Sequence, residues 1–179
     1  NNLRDIERTG DIRSYKKDLV DLYVNRDQHS FSTQVTDLDN IQNPSIHSLL
    51  SSKYHEAQMH RLNIHAEIPD PVIHNYLTDL DLAVVLGHLM DNAIDGARKA
   101  SEGFISLAYF DEEDCQSFII ESTIAEEQVP LSMMSTQLSH PEGGIGVNAV
   151  QDILERYPNT SFSVRSQNHK MMQILEMRP

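Results

Sequence analysis

The chain has 179 residues, enough for one ordinary domain and a short appendage. Its formal net charge is -13, from 14 Lys and Arg against 27 Asp and Glu, which argues against a nucleic-acid backbone or an anionic membrane surface as the main partner. A single cysteine, Cys115, excludes an intrachain disulfide and a cysteine-based metal site, and it suits a reducing cytoplasm.

In chain order, residues 3–26 read as a helix. Ile12, Tyr15, Leu19 and Leu22 form a narrow stripe suited to a partner helix, although Gly10 weakens the early turns. A turn at Asn25-Arg26-Asp27 leads to a second expected helix over 29–41, carrying Phe31, Val35, Leu38 and Ile41. Together these make a helical hairpin over 1–43, and the remaining 44–179 make the main domain. Asn43-Pro44-Ser45 breaks the chain and starts a helix to about Arg61, with Ile46, Leu49, Leu50, Tyr54 and Ala57 at helical spacing. Alternation of Ile64, Ala66 and Ile68 predicts a half-buried strand. Asp79 or Asp81 is placed to cap the next helix, which runs to about Ala100.

Beyond it the period changes. Strands are expected at 104–110 and 116–123, joined by the acidic turn Asp111-Glu112-Glu113-Asp114. Residues 124–142 are polar and irregular. A helix follows to about Arg156, then strands at 162–164 and 171–175. Strand pairs separated by helices predict an α+β fold: a two-layer α/β sandwich with helices on one face of a mixed sheet, preceded by the hairpin.

Two segments carry chemistry. The first is the apolar helix around Leu86-Gly87-His88-Leu89-Met90-Asp91-Asn92-Ala93-Ile94-Asp95. His88, Asn92 and Asp95 fall three or four residues apart, hence on one side. Oxygen donors so placed suit a hard cation such as Mg²⁺, though a solvated helix face would carry the same residues. The second is Gly143-Gly144-Ile145-Gly146-Val147, which runs straight into a helix. Glycines admit a phosphate close to the backbone, and a helix N-terminus presents unpaired N–H groups; a plain loop-to-helix junction would look alike.

Asp-Asn-Ala-Ile-Asp on a helix, then a strand hairpin, then a loop ending in Gly-Ile-Gly before another helix resembles the GHKL ATPases. The two segments look like that family's N box and G2 box. Ser52-Lys53-Tyr54-His55-Glu56-Ala57-Gln58, followed by Glu67-Ile68-Pro69-Asp70, is similar to the entry into the ATP domain of Agr- and Com-type peptide-pheromone sensor kinases, the quorum-sensing group. The resemblance covers about 45–177 and, more loosely, the hairpin. It implies ATP and Mg²⁺ as ligands. Asn92 becomes the metal ligand, with Asp91 and Asp95 flanking it. His88, at a place where many members have a second asparagine, is left to touch a phosphate. Ser122 stands where the family reads the adenine amino group. Gly144, Gly146 and Val147 belong to the turn that lets a lid, about 124–142, close over the phosphates.

The resemblance further implies a cytoplasmic two-component histidine kinase that passes a phosphoryl group to a response regulator. Any membrane attachment would lie in a region outside this chain. The partners it implies are a second copy, through the hairpin, or another kinase. The pattern breaks in the hairpin, where Arg13 falls at the phosphoacceptor position and no histidine precedes His29. Arginine cannot accept a phosphoryl group as histidine does, because it stays protonated. The catalytic residue is therefore unassigned. A pseudokinase, acting as a dimeric interaction module, stands as the alternative.

Overall fold

The computed structural model describes residues 37–129 and 146–179. The first hairpin helix, most of the second, and the glycine turn as far as Ile145 lie outside the described residues.

Asn43 caps the first helix, α1 (Pro44–Met59), its side-chain oxygen accepting from the Ser45 and Ile46 amides at 2.9 and 3.2 Å while Pro44 takes the first turn. Ile46, Leu50, Tyr54 and Ala57 form its buried stripe. Arg61, in the left-handed region at φ 59°, ends the helix; the Leu62 amide turns back to the Ala57 carbonyl at 3.0 Å. Strand β1 (Asn63–Glu67) follows, then α2 (Asp79–Lys99). The cap of α2 is Thr78, whose hydroxyl accepts from the Asp81 amide, and not Asp79 or Asp81. Both aspartates are engaged elsewhere: Asp79 by the Asn43 and Asn75 amides, Asp81 by Arg156 and Tyr157.

Strands β2 (Phe104–Glu112) and β3 (Cys115–Thr123) form the expected hairpin, longer than predicted because Asp111 and Glu112 pair with Gln116 and Cys115. Helix α3 (Gly146–Arg156) precedes β4 (Thr160–Gln167) and β5 (Lys170–Met177). The sheet order is β1-β2-β3-β5-β4; β1 and β2 run parallel and every other pair is antiparallel. This is the mixed sheet of an α+β sandwich. Its core holds Leu82, Val85, Leu86, Leu89, Met90 and Ala93 of α2 together with Ile105, Leu107, Tyr109, Phe118, Ile120 and Leu175 of the sheet. Tyr109 and Phe118 meet edge to face, ring centres 5.3 Å apart.

One expectation fails at the start of this unit. Helix was predicted as far as Ile41, but Asp37–Asn40 form a single 3-10 turn and Ile41 pairs with Val72 in an isolated bridge. The backbone groups here are claimed by the domain: the Asn40 carbonyl accepts from the Val72 amide, and the Asn40 side chain donates to the Ile68 carbonyl. Leu38 and Ile41 accordingly sit in the main core.

Candidate functional site

Helix α2 lies over β3, and Gly96 governs how closely it approaches. A Cβ at Gly96 would lie 3.0 Å from the Ile124 Cγ2, 3.5 Å from the Thr123 carbonyl oxygen and 3.9 Å from the Ser122 Oγ. The end of β3 thus presses on the helix one turn beyond Asn92. Ser122 pairs with Met171 of β5. Gln173, two residues on, shares the face of Met171, because side chains in a strand alternate.

These positions converge on one seam between helix and sheet. The Asn92 Nδ2 lies 3.5 Å from the Gln173 Oε1, and the Gln173 Nε2 donates to the Leu89 carbonyl at 3.0 Å. Gln173 is 2% exposed. Ser122 is fully buried, and among the described residues its hydroxyl has no hydrogen-bond partner. A buried hydroxyl without a partner is costly, and a ligand or water that paired with it would relieve that cost.

Asp91, of the other expected residues, goes elsewhere. Asp91 turns to α1, where the Lys53 ammonium pairs with its Oδ1 and with Glu56 at 2.8 Å. Burial opposes the charge on Lys53, but the hydrogen bonds and charges of Asp91 and Glu56 outweigh it and hold its pKa above the ordinary range. His88 is half-buried one turn before Asn92. Asp95 is also half-buried and lies 3.9 Å from Arg98. Gly146 and Val147 open α3, while Gly144 lies outside the described residues. Residues 124–129, expected as the start of the lid, dock on the β4–β5 turn. There Asn168 and His169 are both left-handed, the Ile124 amide donates to the His169 carbonyl at 2.8 Å, and the Val129 amide donates to the Ser166 Oγ at 2.8 Å.

Sequence reasoning missed Gln173 and the roles of Lys53 and Gly96. The signal for Gln173 was present: an amide interrupting Met171-Met172-Gln173-Ile174-Leu175, where a buried strand is otherwise apolar. Among the described residues no group of three His, Cys, Asp or Glu forms a metal cluster. Mg²⁺ commonly takes one or two protein ligands and completes its shell with phosphate and water oxygens, so a cation at Asn92 does not require such a cluster. Asn92 supplies the oxygen-donor chemistry and Ser122, one of two buried hydroxyls without a partner among the described residues, an unmet polar atom at the seam, so the residues present fit a magnesium nucleotide. No helix among the described residues is long and apolar enough to cross a membrane.

The family described as the GHKL domain matches residues 77–178. No curated sequence matches the chain significantly. Several solved structures share the fold. The catalytic domain of histidine kinase ThkA has a TM-score of 0.61 at 14% identity, over 76% of this chain and 92% of that one. The mycobacterial sensor histidine kinase MprB has 0.54 at 12%, over 73% and 92%. The histidine kinase domain of the blue-light activated kinase EL346 from Erythrobacter litoralis has 0.58 at 12%, over 82% and 65%. At such identities the likeness is one of fold.

Proposed function

The chain belongs to the GHKL domain family, and we propose that it is the Mg-ATP-binding part of a cytoplasmic two-component sensor histidine kinase. Its phosphoryl group would go to a histidine and then to an aspartate of a response regulator. The observation that carries this reading is the seam itself: Gly96, one turn after Asn92, lies against Ser122, Asn92 meets Gln173 of β5, and the Ser122 hydroxyl is buried without a partner among the described residues.

Asn92 presents an amide oxygen to the metal. Ser122 meets the adenine edge through a water, since its side chain is too short to reach the base directly. Gly96 keeps the helix close to the strand, so that this end of the site is narrow. The amides at the start of α3, from Gly146 onward, offer a positive dipole end to phosphate oxygens. Bound magnesium supplies neutralisation of the charge on those oxygens. Asp91, held by Lys53, braces α2 from the far side and takes no part. We further propose the Agr- and Com-type peptide-pheromone kinases as its subgroup, on the likeness of residues 52–58, and a second copy as its partner through the hairpin.

A second reading is favoured by one specific observation. Residues 1–28 hold no histidine, and the resemblance puts the expected acceptor position near Arg13. In this reading the phosphoryl acceptor lies outside residues 1–28, or the domain is a pseudokinase that binds nucleotide and docks a partner. Incubation of the chain with γ-labelled ATP and Mg²⁺, alone and with a kinase of the same type that keeps its hairpin histidine but has an inactivated ATP site, separates these. Label on the added chain supports kinase activity in trans; no label on either protein, with nucleotide binding intact, supports the pseudokinase.

A further inference from the structure

Resting on the nucleotide reading above, we propose that Gln173 of β5 is a positioning residue that fixes which way round the Asn92 amide faces. The argument is a chain of hydrogen-bonding necessities. The Leu89 backbone carbonyl only accepts, so the end of the Gln173 amide that lies 3.0 Å from it is the NH₂. The Gln173 Oε1 is therefore turned to Asn92, where an acceptor requires a donor. The nearer end of the Asn92 amide, at 3.5 Å, is accordingly its Nδ2. That leaves the Oδ1 as the end turned away from Gln173.

A hard cation binds a carbonyl oxygen and is repelled by an NH₂, so the orientation decides whether Asn92 is a ligand at all. At 3.5 Å the contact is long and its contribution is mainly directional: the flipped amide would set two oxygens against each other. Packing alone does not call for an amide here. Leu175 and Met177 on the same face of β5 are buried and apolar, and Gln173 is itself 2% exposed. Burying an amide in such a place is costly unless both its ends are used, and here both are.

The test is titration of a fluorescent ATP analogue against wild type, Gln173→Met and Gln173→Asn, each in Mg²⁺ and in EDTA, with melting temperatures measured alongside. Methionine matches the volume without the hydrogen bonds; asparagine keeps an amide too short to span both partners and serves if the methionine variant does not fold. The expected result is unchanged affinity in EDTA, with the gain conferred by Mg²⁺ reduced about tenfold. In an Asn92→Asp background, where both ends of the side chain are oxygen, Gln173→Met should reduce that gain less than about twofold. Folded Gln173 variants that keep the wild-type gain overturn the inference and leave the nucleotide reading standing. Absence of binding by the wild type in either condition overturns the nucleotide reading, and the inference with it.

Discussion

The Arg156 guanidinium lies 2.8 Å from the Asp81 carboxylate, joining the last turn of α3 to the first turn of α2. The Tyr157 hydroxyl donates to the other Asp81 oxygen at 2.7 Å and accepts from the Thr78 amide at 3.2 Å. The helix that begins at Gly146 is thus tied at its far end to the helix that carries Asn92.

This cluster sets a pH dependence. The Tyr157 hydroxyl foremost, with Thr78 and Arg156, holds the Asp81 carboxyl below its ordinary value of 3.8, against the opposing effect of burial. The folded-state pKa is the lower one. Its stabilisation is therefore complete above the ordinary value and is lost as the pH falls through the folded value beneath it. Asp81→Asn should cost about 2 kcal/mol at pH 7, mostly through the hydrogen bonds, since the Arg156 side chain is 60% exposed and its pairing is screened. Urea denaturation of both proteins checks this: the gap between them should close as the pH drops below about 4.

Adjacent residues on α2 should behave differently. Asn92→Ala should abolish the metal-dependent part of nucleotide affinity with little change in melting temperature. Asp91→Ala should do the reverse, costing about 1 kcal/mol by breaking the half-exposed pair with Lys53 while leaving affinity within about threefold. Differential scanning calorimetry beside a nucleotide titration measures both. Loss of affinity in the Asp91 variant would mean that this aspartate belongs to the site.

Gly96→Ala tests the closeness of helix and strand. Alanine gains about 1 kcal/mol in helix propensity, offset by a Cβ only 3.0 Å from the Ile124 Cγ2. Stability should stay within about 1 kcal/mol of wild type, whereas nucleotide affinity should fall more than about fivefold, because β3 must back away and carry Ser122 with it. Equal affinity at equal stability would remove Gly96 from the account.

The hairpin stripe gives a prediction that rests on sequence alone. Replacing Leu19 and Leu22 with serine should convert a dimer to a monomer in sedimentation velocity. A monomeric parent chain would contradict the dimer assignment.

Much of this was legible in the residues. Periodicity placed α1, α2 and the β2–β3 hairpin because their apolar spacing is strong, and the order of strands and helices implied the mixed sheet. The capping of α2 was misread because Asp79 and Asp81 looked like caps, while only tertiary contacts with Asn43, Asn75 and Arg156 reveal where they are used. The end of the second hairpin helix was misread for a similar reason. Leu38 and Ile41 fit a helical stripe, but distant partners at Ile68 and Val72 claim their neighbourhood. In the site, spacing grouped Asn92 with Asp95. It could not show that Gln173, 81 residues further along, meets Asn92 across the seam.

Calorimetric titration of the chain with ATP, in Mg²⁺ and in EDTA, tests the central claim most directly. Micromolar binding that requires Mg²⁺ and disappears in Asn92→Ala is the predicted result. No heat of binding at millimolar ATP in either condition would contradict the assignment of a nucleotide site to this seam.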